Sequence, residues 1–335
     1  MHIPDVLLGG GAAIATGAIA AAGLGYALRR VDERHGARTT SLMGMTAAFV
    51  FAAQMVNFPV GPGVTGHLMG GLLSAVLLGP WAGAVVIAAV LIVQCFLFQD
   101  GGVTALGANF VNMGLIGAVG GYAIYDPIRR ALGGRRGILI GAMVAAWFSV
   151  LLAAGAFAIE LAAGGRREDF FRILTWMALV HAAIGVGEAL ITGLVVRLVL
   201  LTRPELIEAP SELEIEGDPR PAPGWAPTVA AGMGIALAVA VFVSPFAAPD
   251  PDGLEYVGEK FAFLPSEETP PVLAAPMPDY EAPVPSALRG LDEAKAATAA
   301  AGLIGTLVVF GFAWGMARVF TASDARPEAS ADAVA

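Results

Sequence analysis

The sequence predicts an all-α integral membrane protein, with about seven transmembrane helices followed by a smaller module that adds two more. Three observations carry that prediction. Of the 335 residues, 57% are hydrophobic and only 14% charged, and the mean hydropathy is +0.73, outside the range of soluble globular chains. Residues 39–99 contain no Asp, Glu, Lys or Arg. Arginines gather in short clusters between uncharged stretches, as they do in cytoplasmic loops of membrane proteins.

The elements follow in order. Residues 6–28 are uncharged and long enough to cross a hydrocarbon layer of about 30 Å. Ala18-Ile19-Ala20 has the small-residue pattern of a leader-peptide cleavage site. Asp5 and the lack of any Lys or Arg before it argue against cleavage, so Met1 and His2 are expected to be retained. The uncharged run 39–99 is too long for one crossing. Breaks at Asn57 to Gly66 and at Gly79-Pro80 divide it into helices near 39–57, 67–79 and 80–99. Further spans are predicted at 103–125, 137–159, 173–199 with Glu188 inside it, 227–248 and 296–317.

Sidedness comes from the arginines. Arg29, Arg30, Arg34 and Arg38 share the cytoplasmic side with Arg129, Arg130, Arg135 and Arg136 only if 67–79 is a crossing, which leaves the N-terminus outside. Arg166, Arg167 and Arg172 then fall outside as well, against the rule. A helix of 13 residues reaches only about 20 Å, so its outer end starts below the membrane surface. The stretch from Pro59 to Gly66 must dip inward to meet it. Irregular backbone at that depth needs protein or a water-filled cavity around it, so His67 is expected to line a pocket open to the outside.

The chain divides into a metal-binding transmembrane module at 1–201, an acidic cytoplasmic linker at 202–226, a second module at 227–320 and a flexible tail at 321–335. The second module's outside loop, about 249–295, is rich in Pro and acids and is expected to hold little regular structure. The formal net charge of −9 is concentrated in the linker and this loop, where it reads as solvated surface. Nothing points to nucleic acid. The lone Cys95 excludes a disulfide framework and a thiolate metal site.

Two of the four histidines, His2 and His67, fall on the outer side. A free terminal amine, the amide nitrogen of residue 2 and Nδ1 of His2 can close fused chelate rings in one plane. His67 can supply a fourth nitrogen. Square-planar nitrogen ligation suits Ni(II) and Cu(II) better than tetrahedral zinc. The bland alternative is a histidine at position 2 with no role and a loop histidine that packs or hydrogen-bonds. His181 and Glu188 are seven residues apart on one helix face, at membrane depth, where ionisable groups are either functional or internal packing pairs. His181 is a candidate pocket residue and Glu188 a candidate for coupling or packing. Asn109 and Asn112 could orient ligands or join helices. Ala13, Gly17, Ala21 and Gly25 at four-residue spacing mark a close-approach face, for an internal helix or for a partner. The only lysines, Lys260 and Lys295, lie outside any P-loop pattern, and no hydrolase triad is present. The chain is therefore not expected to be an enzyme, and any ATP is hydrolysed elsewhere.

Four motifs, in order and at matching spacing, carry a resemblance. They are Met1-His2-Ile3-Pro4-Asp5, the stretch from Asn57 to Gly71 around His67, Leu106 to Gly114, and His181 to Glu188. Over about residues 1–200 the chain resembles the CbiM/NikM family, substrate-specificity components of energy-coupling factor transporters for cobalt and nickel. Residues 201–335 resemble the accessory N component, with Pro251-Asp-Gly-Leu-Glu255 similar to its PDGLE signature. The resemblance implies that Met1, His2 and His67 hold Ni2+ or Co2+ as transported substrate, without an organic cofactor. It also implies a separate transmembrane coupling (T) component and cytoplasmic ATPase (A) components, in a bacterial or archaeal plasma membrane. Gly61-Pro62-Gly63 departs from the family's more frequent Pro-Gly-Gly and leaves the loop path open. The competing reading is a self-contained secondary transporter or channel in which His181 and Glu188 relay protons.

Overall fold

The computed structural model describes residues 2–32, 37–208, 224–265, 270–283 and 292–321. Helix α1 spans Gly10–Asp32, four residues later than its apolar run begins. The delay has a local cause: Val6 takes a positive φ of 56°, which no helix tolerates, and residues 2–9 fold back instead. Helix α2 (Ala37–Gln54) leads into a hairpin of β1 (Phe58–Gly61) and β2 (Val64–Gly66), paired antiparallel with Phe58 opposite Gly66. Gly63 (φ +69°) makes the turn after Pro62.

Helix α3 is shorter than the predicted 67–79. It covers Gly71–Leu78, eight residues or about 12 Å, and is almost wholly buried. It is a half-span that starts inside the protein, so the change of side expected at 67–79 rests on the hairpin and α3 together. Gly79, at φ +87°, reverses the chain directly into α4 (Pro80–Phe98). The hairpin of α3 and α4 is tight, since a Cβ at Gly83 would lie 2.7 Å from the Ala75 backbone nitrogen.

A continuous helix α5 follows at 106–132, with widened π-type turns at 110–120. Then come α6 (Gly134–Ala163) and α7 (Phe170–Thr202), which pack along most of their length. Beyond α7, Ile207 is buried and the Glu208 N–H donates to the Val76 carbonyl (3.0 Å); linker residues 209–223 lie outside the described residues. Helices α8 (Trp225–Phe246) and α10 (Glu293–Thr321) both pack on α2. Tail residues 322–335 are also outside the described residues.

Among the described residues, six helices are long and apolar enough to cross a membrane: α1, α4, α6, α7, α8 and α10. Nine were expected. Of the other three, α3 is too short, while α2 and α5 are long enough but carry polar side chains that bond inside the protein, among them Gln54, Asn109 and Asn112. Helix α4 is central, with 78% of its most apolar window buried against 17% for α1.

The acidic loop corrects the expectation of little regular structure. Helix α9 (Gly253–Lys260) stands in it, opened by a capping box. Asp252 Oδ1 accepts from the N–H groups of Leu254 (2.7 Å) and Glu255 (2.9 Å), while Glu255 Oε2 accepts from the Asp252 N–H (3.0 Å). The Asp-x-x-Glu spacing encodes this start.

Candidate metal centre

The amino end is tethered beside the hairpin by side chains of α5 and the loop before it. Asn109 Oδ1 accepts from the Ile3 N–H (2.8 Å) and its Nδ2 donates to the Ile3 carbonyl (3.1 Å), which also accepts from the Gly102 N–H (2.8 Å). Asp5 Oδ1 accepts from the backbone N–H and hydroxyl of Thr104, each at 2.8 Å. Gly102 is obligatory here, because a Cβ would sit 2.2 Å from the Asp5 nitrogen.

His67 arrives from the other direction, at the end of β2. The four residues 67–70 are buried and irregular, so their backbone groups need partners. Glu188 supplies two, accepting from the N–H groups of Met69 (2.5 Å) and Gly70 (2.9 Å) at the start of α3. Gln54 Nε2 donates to the Met69 carbonyl (2.9 Å). Gly70 takes φ +74°, and a Cβ there would strike Val50. Glu188 therefore anchors the loop that carries His67, which accounts for a buried acid on α7.

The two histidines meet. Their rings stack with centroids 5.2 Å apart and 14° between planes, and both side chains are more than nine-tenths buried. The Leu68 carbonyl lies 3.0 Å from His67 Nδ1 and can only accept, so Nδ1 carries the proton and Nε2 the lone pair. That nitrogen faces Asp252 Oδ2 at 3.6 Å, beyond hydrogen-bond range. Burial alone would raise the Asp252 carboxyl, but neighbouring positive charge holds it well below the usual carboxylate range.

His2 is gripped by a carboxylate the sequence reading did not single out. Its Nδ1 lies 3.0 Å from Asp100 Oδ1, while Nε2 is buried with no hydrogen-bond partner among the described residues. Cargo ligation through Nδ1 therefore requires the ring to exchange Asp100 for the ion. Asp100 also accepts from the Tyr280 hydroxyl (2.5 Å). Gln94 Nε2 donates to the Tyr280 oxygen (3.0 Å) and to Gln54 Oε1 (2.8 Å), so a polar chain runs from His2 to the Met69 carbonyl. Although burial opposes ionisation of Asp100, the His2 charge and the bonds from His2 and Tyr280 keep it ionised far below the usual carboxylate pKa. Imidazole nitrogens with flanking carboxylates suit borderline divalent transition metals. Among the described residues no three His, Cys, Asp or Glu side chains form a finished metal cage; Met1, a predicted ligand, lies outside them.

Comparison with known proteins shows the family. The family model for the cobalt uptake substrate-specific transmembrane region, CbiM, matches residues 2–206, and the PDGLE domain matches residues 226–322. The chain belongs to the CbiM family. It is 34% identical over 324 residues to a putative fused nickel transport protein, NikMN, of Archaeoglobus fulgidus, covering 95% of this chain and 98% of that protein. The cobalt transport protein CbiM of Geobacter sulfurreducens is 30% identical over 246 residues, 71% of this chain and 68% of its own length. A crystal structure of a truncated transition metal transporter superposes with a TM-score of 0.54 at 31% identity, covering 60% of this chain and 99% of that one.

Within the CbiM module the remaining candidates separate. Asn109 tethers the amino end. Asn112 does not reach the centre: its Nδ2 donates to Glu160 Oε2 (2.8 Å) and joins α5 to α6. His181 is buried and lines a small cavity beside His67. The small-residue stripe of α1 splits. Gly17 packs internally, with a Cβ at Gly107 falling 2.6 Å from its Cα, whereas Ala21 and Gly25 are exposed. The helix buries a neighbouring stripe instead: Ala12, Thr16, Ala20 and Ala27.

The PDGLE module contributes Asp252 and Tyr280, both missed in the sequence. The signal for Asp252 was there, in the capping-box spacing that fixes its orientation. Thr65 of β2 donates from its backbone to the Pro251 carbonyl (2.9 Å), and its hydroxyl donates to the Asp250 carbonyl (2.9 Å), so the PDGLE turn extends the hairpin that carries His67. Tyr280 stacks on Phe98 at 4.7 Å. Long-range pairing of this kind leaves no local pattern to read.

Proposed function

We propose that this protein is the substrate-binding membrane subunit of an ATP-driven importer of the energy-coupling factor type, for nickel or cobalt and with nickel preferred. The cargo is held by the terminal amine and amide of the first two residues, the His2 imidazole and His67 Nε2. The observation that carries this reading is the convergence of the tethered amino end and the buried hairpin loop on one pair of stacked imidazoles. The preference for nickel follows from planar four-nitrogen ligation, with one deprotonated amide. The names of fused nickel relatives support it. The PDGLE module closes the pocket: Asp252 supplies a carboxylate opposite His67, and Tyr280 holds Asp100, which releases His2 Nδ1 when cargo binds. The N-terminus faces outward, and separate T and A components supply coupling and ATP hydrolysis, in keeping with the lack of a P-loop. Exposed Ala21 and Gly25 on α1 are the docking face for the coupling component.

Isothermal titration of protein with a verified free amine tests the ligand set. Acetylation, or extra residues before Met1, should weaken nickel binding by about a hundredfold or more while the melting temperature holds. Retained affinity would contradict the ligand set, and tighter cobalt than nickel binding would reverse the metal preference. The proton-relay reading is disfavoured by Glu188, whose carboxylate is already committed to two backbone N–H groups. Uptake by proteoliposomes holding this chain alone, insensitive to ATP, would restore it.

A further inference from the structure

Among the described residues, His181 is the one buried histidine that the proposed ligand set leaves unused. It lies on α7 with 1% of its surface exposed, and the Met177 carbonyl, 2.8 Å from Nδ1, takes that nitrogen's proton. Nε2 is thereby left with a lone pair, and it has no hydrogen-bond partner among the described residues. Burying a nitrogen without a partner is costly, and a membrane-spanning helix offers no bulk water to offset that. Such a group needs a reason to be there.

The nitrogen borders a cavity of about 20 Å³, room for a single water-sized occupant, whose wall includes His67, Met69, His181, Asp252 and Gly253 but not His2. His67 faces both this space and the wider cleft where His2 sits. Two imidazoles, a thioether and a carboxylate are donors for a borderline divalent transition metal, not for Mg2+ or Ca2+. Gly253 forms one side of the space. A Cβ there would come 2.5 Å from Ile184 Cδ1 and 3.0 Å from His181 Cε1, so only glycine lets the PDGLE turn bring Asp252 this close to α7.

We propose that His181 marks a second, weaker cargo site beside the first, in which the divalent ion leaving His2 is held by His67 and His181, with Met69 and Asp252 completing its surroundings. This rests on reading His2 and His67 as the first site. His67 belongs to both, so the ion passes between them without leaving imidazole ligation. The second site has two nitrogen donors where the first has four, so it binds such an ion less tightly, as a transit site must if the ion is to move on.

Equilibrium dialysis of the full chain against Co2+ tests this. Because His67 offers one unprotonated nitrogen, the two sites fill in alternation: wild type should bind one equivalent, and His2→Ala should still bind one, roughly tenfold or more weaker. His181→Ala and His181→Gln should each keep the wild-type affinity within about twofold, whereas either change added to His2→Ala should abolish the residual binding. No residual binding in His2→Ala, or residual binding that survives both His181 changes in that background, overturns the proposal. Wild-type affinity retained in His2→Ala overturns the first-site reading alone. If both His181 variants misfold, His2→Ala crystals grown with excess Co2+ decide. An anomalous peak against His181 Nε2 supports the second site, and a non-anomalous water there refutes it.

Discussion

The two modules build one pocket by different means. In the CbiM module, each wall is held by buried side chains bonded to backbone: Asn109 on Ile3, Glu188 on Met69 and Gly70, Gln54 on Met69. The PDGLE module reaches the same pocket from outside, with a capped turn that adds to the β2 edge and one tyrosine that meets Asp100. Helix α8 buries only 22% of its most apolar window, against 78% for α4. The difference teaches that position and closure are separate tasks. The first set of bonds fixes the backbone around the histidines, while the second module adds polar groups to them and seats itself by burying Leu254, Val257, Phe263 and Met277 in the common core.

That contrast can be broken at either end. The largest effect is expected at Glu188. Glu188→Ala strands two buried N–H groups, at about 1–3 kcal/mol each, so calorimetry should show a clear loss of thermal stability together with loss of nickel binding. Glu188→Gln, which keeps one acceptor oxygen, should lose less. Asn109→Ala comes next. It frees the Ile3 backbone and should lower nickel affinity about 10- to 100-fold in titration, with little change in unfolding temperature.

Smaller effects belong to the cover. Asp252→Ala removes a helix cap worth about 1 kcal/mol and the carboxylate opposite His67. Asp252→Asn keeps the cap and removes the charge. Stopped-flow nickel loading should slow in both, while hydrogen exchange in α9 should rise only in the alanine variant. Equal exchange in the two would mean the charge, not the cap, seats the turn. Tyr280→Phe should be mildest, a few-fold in loading rate, since Asp100 keeps its contact with His2.

The pH response follows from Asp252. Its carboxyl is held below its unfolded value, so the stability it lends is fully present above the ordinary carboxylate pKa of about 4 and is lost as pH falls through the lower folded value. Protection factors in α9, which remove the intrinsic pH dependence of amide exchange, should be flat from pH 8 to pH 5 on this account and fall only in stronger acid.

Much of this was legible in the sequence because membrane physics writes plainly. Uncharged runs located the long helices, and the short run after Gly66 foretold an inward-dipping segment with His67 at its end. The bounds moved where local conformation overrode hydropathy: Val6 delays α1, and α3 starts at Gly71 because residues 67–70 take their partners from Glu188 and Gln54. Of the nine apolar segments, six form helices both long and apolar enough to cross a membrane; α3 is only eight residues long, and α2 and α5 carry polar side chains that bond inside the protein. Asp100, Asp252 and Tyr280 were not found, because each is defined by a partner between 98 and 185 residues away along the chain. Asn112 looked like Asn109 in sequence and differs only in what lies opposite.

The tether at Ile3 turns chain length into a selectivity device. With Ile3 fixed by Asn109 and Gly102, and Asp5 by Thr104, no slack separates His2 from its anchor. One residue inserted between His2 and Ile3 would displace the imidazole by up to about 3.5 Å, more than a metal–nitrogen bond. On the proposed ligand set, Ile3 is the fixed point from which the His2 imidazole is placed, and a single added peptide unit would carry it out of reach of an ion shared with His67.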